Sequence, residues 1–386
     1  SAIFEAVTAN FCKITFDSNS NKVVIAYSDS GNSAYGTAAV GTVSGTSISF
    51  GTPVVFESAS SADTAITFDS NSNKVVIAYK DVGNSNYGTA IVGTVSGTGI
   101  SFGTAVVFES AAILNPAITF DSNSNKVVIA YTDGGNNNYG TSVVGTVSGT
   151  GISFGTAVVF NAADTTQATG CVFDSNANKV VIAYKDAGNS NYSTLIVGTV
   201  SGTGISFGSE VVFDQKPSGF YLPVFDSTSN KVVIGYEDAN AQGYGRSVVF
   251  QNAFTSTTLT AENYIGMSSG GVEYDEGAAA VGSAVVFESA GVDYLSASFD
   301  SNSNKVVLVY KDEGNSDSGT AVVGTVNPSN NSISFGTPVL FNPSANTPYC
   351  VGVFDSNSNK VVVVYRDSGN SGRGAARVGT VSGTTI

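Results

Sequence analysis

A single phrase, F-D-S-N-S-N-K, recurs with small changes and constrains the fold more than any other feature of the sequence. Successive copies lie 52 to 55 residues apart, except that 74 residues separate the fifth from the sixth. A period of this length is typical of one four-stranded blade of a β-propeller, because helical repeats are shorter and rich in helix formers. The seven copies account for nearly all of the 386 residues and begin at Phe16, Phe68, Phe120, Phe173, Phe225, Phe299 and Phe354.

Each repeat divides into four predicted strands, which we call a to d. In the first repeat they cover residues 13–17, 22–27, 35–43 and 47–56, with an interruption of strand d at 51–53. Strand b, with the sequence K-V-V-I-A-Y, is apolar on both faces, which is typical of a strand packed between two other layers. Nothing in the sequence predicts a long helix.

The two ends of the sequence match complementary parts of the repeat. Residues 2–5 match residues 54–57, the second half of strand d, and residues 378–386 match residues 40–48, which stop where strand d begins. We therefore expect the N-terminal strand to complete the last blade. The predicted fold is all-β: a single domain over residues 1–386, a seven-bladed propeller of four-stranded antiparallel blades whose ring is closed by this strand.

The fifth repeat is longer than the others because of an insertion at about residues 253–281. Two interpretations are open: a degenerate extra hairpin, or an element that docks a partner. The first residues, Ser1 to Phe4, carry no charged segment followed by an apolar run, so we expect no signal peptide there.

Composition excludes several classes of function. The chain has no histidine, which rules out Ser–His–Asp and Cys–His catalysis. Its formal net charge of −14 argues against a nucleic-acid partner, whose phosphates need basic patches. No stretch approaches 18 uninterrupted apolar residues, so we expect no membrane insertion. We expect no cofactor, no catalytic residues and no enzyme activity.

The repeated phrase Asp17-Ser-Asn-Ser-Asn21 imitates the start of a calcium loop, D-x-N-x-N. The later glycine and glutamate of such a loop are missing, and Lys22 follows instead. We therefore favour a hairpin turn in which Asn21 is left-handed over a metal site. A second phrase, Asp29-x-Gly31, loosely resembles the Asp-box turn of sialidase-type propellers and predicts an Asx-type turn with glycine at positive φ.

Three cysteines lie near the starts of the innermost strands. Cys12 and Cys350 occupy the same register in the first and last repeats, which makes a disulfide between them one alternative. Equivalent positions on adjacent inner strands usually lie too far apart for a disulfide. We therefore favour small buried thiols.

The connections between strand d and the next strand a vary most from repeat to repeat. The residue five positions before each motif phenylalanine is Phe11, Asp63, Asn115, Ala168, Phe220, Tyr294 or Tyr349. In a propeller these connections lie on one face, around the mouth of the channel, so they could form a binding surface or could reflect drift in exposed loops. The predicted ligand-binding residues, on loops at this rim, are Phe11, Asp63, Asn115, Phe220, Tyr221, Tyr294 and Tyr349.

Residues 74–110 and 126–160 carry a resemblance to a known group of proteins. Units of the form K-V-V-I-A-Y-x-D-x-G-N-S-x-Y-G-T-A-x-V-G-T-V-S-G-T-x-I-S-F-G-T resemble repeats in tail-fibre and other virion-associated proteins of marine tailed bacteriophages. The resemblance implies a non-catalytic structural or adhesive protein of a virion or the cell exterior. It implies no catalytic residues. The implied partners are a cell-surface glycan or envelope receptor and other fibre proteins.

Two other functions stay open at this point. A free multivalent lectin would bind several equivalents of ligand per chain through equivalent sites. A polysaccharide-degrading enzyme would need a converging pair of carboxylates, and the acids available at the predicted rim are Asp63, Asp164 and Asp293.

Overall fold

The computed structural model describes residues 1–165, 169–252, 279–343 and 346–386. In these residues the chain is all-β, with antiparallel strand pairs and short 3-10 turns. None of the described helical turns is long and apolar enough to cross a membrane. The 3-10 turns are Ser30–Asn32, Val82–Asn84, Ala187–Asn189, Glu313–Asn315 and Ser368–Asn370. The strands are β1 (Ala2–Asp17), β2 (Lys22–Asp29), β3 (Tyr35–Ser44), β4 (Ser47–Phe50), β5 (Val54–Asp69), β6 (Lys74–Asp81), β7 (Tyr87–Ser96), β8 (Gly99–Phe102), β9 (Val106–Asp121), β10 (Lys126–Asp133), β11 (Tyr139–Ser148), β12 (Gly151–Phe154), β13 (Val158–Asp164), β14 (Thr169–Asp174), β15 (Lys179–Asp186), β16 (Tyr192–Ser201), β17 (Gly204–Phe207), β18 (Val211–Asp214), β19 (Tyr221–Asp226), β20 (Lys231–Asp238), β21 (Tyr244–Gln251), β22 (Ala280–Val281), β23 (Val285–Asp300), β24 (Lys305–Asp312), β25 (Ser318–Asn327), β26 (Ser332–Phe335), β27 (Val339–Asn342), β28 (Val351–Asp355), β29 (Lys360–Asp367) and β30 (Arg373–Gly379).

Each sequence repeat forms one structural unit with similar pairing, although no described strand of the last repeat corresponds to β4. In the first unit, β2 pairs with the second half of β1 and with β3, and both β4 and the start of β5 pair with β3. The second strand of each unit is the most deeply buried. Val23, Ile25 and Tyr27 on one face of β2, and Val24 and Ala26 on the other, are all 0% exposed, because neighbouring units cover both faces of the sheet. The prediction that strand b is buried on both faces is confirmed.

Strands d and a were predicted as separate strands, and four junctions correct this. β1, β5, β9 and β23 are each 16 residues long and run from the outer edge of one unit into the inner strand of the next. The ladder is irregular near the middle of each of these strands. The chain therefore changes unit through a β-bulge rather than through a loop.

Packing between neighbouring units repeats around the molecule. The inner strands contact one another in the order β1, β5, β9, β14, β19, β23, β28, and β28 in turn contacts β1. The N-terminal strand β1 also pairs with β30, as the sequence predicts. At all seven unit boundaries a phenylalanine packs on a buried tyrosine, with ring centroids 5.1–5.4 Å apart: Phe4–Tyr27, Phe56–Tyr79, Phe108–Tyr131, Phe160–Tyr184, Phe213–Tyr236, Phe287–Tyr310 and Phe341–Tyr365.

The repeated aspartates form turns, as predicted. The Asp17 carboxylate accepts hydrogen bonds from the backbone N–H groups of Asn19 and Ser20, at 2.9 and 3.0 Å, and from the Ser20 hydroxyl. Asn21 is left-handed, with φ of 55°, and its equivalent is left-handed in every unit. Both carboxylate oxygens accept hydrogen bonds within the turn, which explains why an acidic residue is buried at this position.

The second turn corrects the predicted role of its glycine. Asp29 accepts a hydrogen bond from the Gly31 N–H, so the Asx-type turn is confirmed. The left-handed residues, however, are Ser33 and Ala34. Gly31 is needed for a different reason: a Cβ there would lie 2.3 Å from Cγ2 of Val7 on the neighbouring strand.

The predicted insertion at 253–281 lies outside the described residues except for its last three. Of these, Ala280 and Val281 form β22, which pairs with the end of β21.

Candidate binding cavity

One cavity brings together residues from all seven units, and we call it the central cavity. Its volume is about 240 Å³. This is below the roughly 300–1,000 Å³ of pockets that enclose drug-sized ligands. The space therefore suits one small ring rather than a long chain. It is lined by Phe11, Cys12, Lys13, Asp63, Thr64, Asn115, Pro116, Thr169, Phe220, Tyr221, Leu222, Tyr294, Leu295, Tyr349, Cys350 and Val351.

Aromatic side chains form a continuous arc along part of the wall. Ring centroids are 6.4 Å apart for Phe220 and Tyr294, 4.8 Å for Tyr294 and Tyr349, and 5.3 Å for Tyr349 and Phe11. All four side chains are half-buried, so part of each ring stays accessible. The arc thus offers an apolar surface on which a flat face of a ligand can pack.

The two units that follow Phe11 along the chain contribute polar side chains at the same level. They place Asp63 and Asn115 in the cavity wall, both half-buried. One part of the wall is therefore aromatic and another carries hydrogen-bonding groups. Apolar surface with a few convergent polar groups is the usual make-up of a small-molecule site.

The backbone at these positions is left-handed. The φ angles are 52° at Phe11, 46° at Asp63, 48° at Asn115, 49° at Tyr294 and 56° at Tyr349. Asp and Asn tolerate this conformation, but for an aromatic residue it is strained. Phe11, Asp63, Asn115 and Tyr294 lie at the bulges described above, and such bulges are common where a strand re-aims a side chain toward a site.

The predicted site residues come together, but not as loops over a rim. Phe11, Asp63, Asn115 and Tyr294 lie inside long strands, and Phe220 and Tyr349 stand directly before or near the start of an inner strand. They line the cavity instead of decorating its mouth, because the strand passes straight from one unit into the next. Residues 166–168, which include the equivalent Ala168, lie outside the described residues.

Tyr221 borders the cavity but is buried. Its side chain is 1% exposed, its hydroxyl lies 3.0 Å from the Ser193 hydroxyl, and its ring packs on Phe213. These contacts hold the side chain in the packing between units, and its contact with a ligand stays a prediction.

Basic residues near the ends of the second strands contact side chains at the cavity wall. Lys80 Nζ lies 2.5 Å from Asp63 Oδ2 and compensates its charge. Lys311 Nζ lies 3.1 Å from Asp293 Oδ2 and 5.7 Å from the centre of the Tyr294 ring. These contacts fix the orientation of two wall side chains.

Arg366 plays a similar part at the boundary between the last and first units. Its Nη1 donates a 2.7 Å hydrogen bond to Asn10 Oδ1, and its guanidinium lies 5.5 Å from the centre of the Tyr349 ring. Burial raises the pKa of Tyr349 to about 12, with Tyr294 adding to the effect. The Tyr349 hydroxyl is protonated at neutral pH, as an ordinary tyrosine is, and interacts with Tyr294.

The cysteines of the wall are free thiols. Cys12 and Cys350 are each 1% exposed and are not bonded to each other. Cys350 Sγ donates to the Tyr294 carbonyl at 3.0 Å, and burial raises the pKa of Cys12 to about 12. The interpretation of Cys12 and Cys350 as buried thiols is confirmed; such thiols are inert rather than reactive.

Lys13 is the wall residue that the sequence analysis missed. It is the basic member of the cavity lining, three positions before Phe16. A comparison of the repeats at this position would have found it, since the other six copies carry Ala65, Ala117, Gly170, Leu222, Ser296 and Val351.

Other chemistry has little support in the described part of the chain. No group of three or more Cys, Asp or Glu side chains there is placed to hold a metal ion. Asp63 is the one carboxylate among the described lining residues, and Asp164 and Asp293 do not line the cavity. The described residues of this wall do not include the converging pair of carboxylates that glycoside hydrolysis uses.

Comparisons with known proteins bear on the fold. Neither a protein family nor a curated protein matches the sequence. A solved structure, the BP39L lectin from Burkholderia pseudomallei, is similar over 99% of this chain and 100% of its own, with a TM-score of 0.68 and 12% sequence identity. At this identity the likeness concerns the fold.

Proposed function

We propose that this chain is a closed seven-bladed β-propeller that binds carbohydrate in its central cavity. The closed architecture is supported by the cyclic order of contacts between inner strands and by the pairing of β1 with β30. It is also supported by the Phe4–Tyr27 contact, which has the same geometry as the contacts at the other boundaries.

The observation that carries the binding function is the aromatic arc of Phe220, Tyr294, Tyr349 and Phe11 facing a space of about 240 Å³. A sugar ring has an apolar face that packs on aromatic side chains and a rim of hydroxyls that bond to polar groups. Asp63 and Asn115 supply acceptors at that rim. The similarity in fold to a bacterial lectin is consistent with this function.

The role we propose is adhesion, without catalysis. Absence of enzyme activity is supported by the lining, in which the Asp63 carboxylate is already paired with Lys80. The resemblance of the repeats to virion-associated proteins supports a location on a virion or outside the cell. There the propeller would bind a cell-surface glycan or envelope receptor and attach to other fibre proteins.

A binding screen of the purified chain against immobilised glycans, followed by calorimetry on each hit, tests the function. One shared cavity predicts about one equivalent of ligand per chain. The double variant Tyr294→Ala/Tyr349→Ala should lower the affinity at least tenfold, which is about 1.4 kcal/mol. Tyr87→Ala, which removes a half-buried tyrosine outside the cavity, should leave the affinity unchanged.

Two outcomes would contradict the proposal. Several equivalents per chain, with affinity intact in the double variant, would mean that the chain is a multivalent lectin with sites elsewhere. Release of reducing sugar from a bound polysaccharide would mean that it is an enzyme.

A further inference from the structure

Lys13 is the feature of the central cavity that the carbohydrate proposal leaves unexplained. The side chain is partly exposed and lines the cavity beside Phe11 and Tyr349. Equivalent positions in the other units are small or apolar, so the lysine is not needed for the packing of an inner strand. Because the basic residue occurs in one unit, one side of the cavity wall is positively charged and the other sides are not.

Within the described residues, Lys13 Nζ has neither a carboxylate within 4.0 Å nor a hydrogen-bond acceptor, although other lysines of the molecule have such partners. Burial lowers its pKa, and the charge of Asp63 only partly offsets this effect. A charge that is taken out of water without a partner is unfavourable. An anionic group in the cavity would remove that cost.

The charges around Lys13 do not cancel it. Asp63, the carboxylate of the described wall, is 2.5 Å from Lys80 Nζ, so its charge is already compensated. Arg366 is bonded to the neutral Asn10 side chain, and its buried Nε–H has no acceptor in the described part of the chain. In a chain with a net charge of −14, Lys13 and Arg366 thus place two basic side chains near this boundary, while its acids Glu5 and Asp29 accept hydrogen bonds from the Tyr27 hydroxyl and the Gly31 N–H.

We propose that the ligand of the central cavity is an acidic sugar, whose carboxylate pairs with Lys13 Nζ while its ring packs on Phe11 and Tyr349. The proposal rests on the carbohydrate-binding function and adds the class of sugar, namely uronic or sialic acids. The distance between the Phe11 and Tyr349 ring centroids, 5.3 Å, makes one continuous surface beside the ammonium group. Charge-assisted pairing in a partly desolvated site discriminates strongly against neutral analogues.

The test uses matched pairs of sugars and the full chain. Methyl glycosides of glucuronic, galacturonic and N-acetylneuraminic acid are each compared with their own methyl esters by calorimetry. We expect at least one acid to bind ten times or more tightly than its ester. Lys13→Gln should abolish that preference, and Lys13→Arg should keep it.

Two controls separate charge from folding. Lys74→Gln changes a lysine at the far end of a second strand and should leave the acid preference intact. The melting temperature of Lys13→Gln should equal or exceed that of the parent, since the substitution removes a desolvated charge.

The outcomes also separate this inference from the function on which it rests. Equal binding of acids and esters, unaffected by Lys13→Gln, would overturn the acidic-sugar inference and leave carbohydrate binding standing. Inorganic phosphate competing as well as the best acid would overturn it too, since the site would then accept any anion. No sugar bound by the parent chain would overturn both proposals.

Discussion

The boundaries between units and the wall of the central cavity follow opposite rules. At the boundaries the same Phe–Tyr contact recurs seven times within 0.3 Å, from 5.1 to 5.4 Å. At the wall, the equivalent described positions hold two phenylalanines, two tyrosines, an aspartate and an asparagine. A boundary residue is packed between two units, so a substitution there requires compensating substitutions in its neighbours. A wall residue borders open space and can differ from unit to unit without such compensation. The residues that pack the units together are thus repeated, and the residues of the proposed binding site differ from unit to unit.

Among the changes that test the boundaries, deletion of the N-terminal segment should lower the free energy of unfolding most. Deletion of residues 1–5 removes Phe4, which is 4% exposed, and uncovers the edge of β30. The cost should exceed that of any single core truncation, about 5 kcal/mol or more. Thermal denaturation followed by circular dichroism measures it. Ile3→Ala, at a 38% exposed position of the same strand, is the control, and an unchanged melting temperature on deletion would sink the closed architecture.

Truncation of one boundary phenylalanine should come next. Phe56 is 7% exposed and packs 5.3 Å from Tyr79 and 5.7 Å from Phe102. Phe56→Ala should cost about 3–5 kcal/mol in urea unfolding. Phe4→Ala should cost the same within about 1 kcal/mol if the boundary that joins the ends of the chain is equivalent to the others.

Val55→Ala is the matched control for that pair, because Val55 precedes Phe56 on the same strand and is 41% exposed. Its cost should stay below about 1 kcal/mol. A Phe4 variant as mild as this control would mean that the seventh boundary is weaker than the rest.

A smaller effect is expected where two units approach through a glycine. A Cβ at Gly83 would lie 2.3 Å from Cβ of Ala59 on the neighbouring strand. Gly83→Ala should therefore destabilise the chain by about 1–3 kcal/mol through overpacking. Gly99→Ala is the control, since its nearest contact would be 3.7 Å from the Ser96 carbonyl oxygen and the first unit has Ser47 there. Equal melting temperatures for the two variants would contradict the close approach.

Much of the structure that recurs in every unit could be predicted from the sequence. Strand b, the aspartate turns and the left-handed Asn21 follow from local rules that apply identically in each copy. The bulged junctions do not follow from such rules. Phe11 and Tyr294 adopt a left-handed backbone that an aromatic residue would avoid on its own, because packing on both sides imposes it.

The cavity could be predicted only in part, because the direction of each side chain also depends on packing between units. Counting back from each motif phenylalanine identified the wall residues, since they share one register. It could not distinguish Tyr221, whose ring turns into the boundary, from Tyr294, whose ring turns into the cavity. A comparison of the repeats would have singled out Lys13, but its place beside Tyr349 in the cavity depends on packing between the first and last units.

The smallest predicted effect is on the pH dependence of stability, and it comes from Glu237, an acid that occurs in one unit at this position. Burial raises its pKa from 4.5 to about 7, and Asp293 and Glu313 add to the effect. The folded protein therefore holds this proton more tightly than the unfolded chain does. The stabilisation is complete below about pH 4.5 and is lost as the pH rises to about 7.

Glu237→Gln mimics the protonated side chain at every pH, so it should match the parent at pH 4 and be more stable at pH 8. We expect a gain of about 1 kcal/mol, since the site is partly exposed and solvent screens much of the full shift. Melting temperatures of both proteins between pH 4 and 8 measure it. A difference that does not change with pH would mean that the carboxyl of Glu237 is not held protonated by its surroundings. Each boundary tyrosine from Tyr27 to Tyr310 donates a hydrogen bond to its own carboxylate. Burial nevertheless also raises the pKa of acids beside these contacts, namely Asp29, Asp81, Asp312 and Glu109. A pH dependence that remains in Glu237→Gln would therefore come from these repeated carboxyls, and the part that the substitution removes would belong to the one acid that is not repeated.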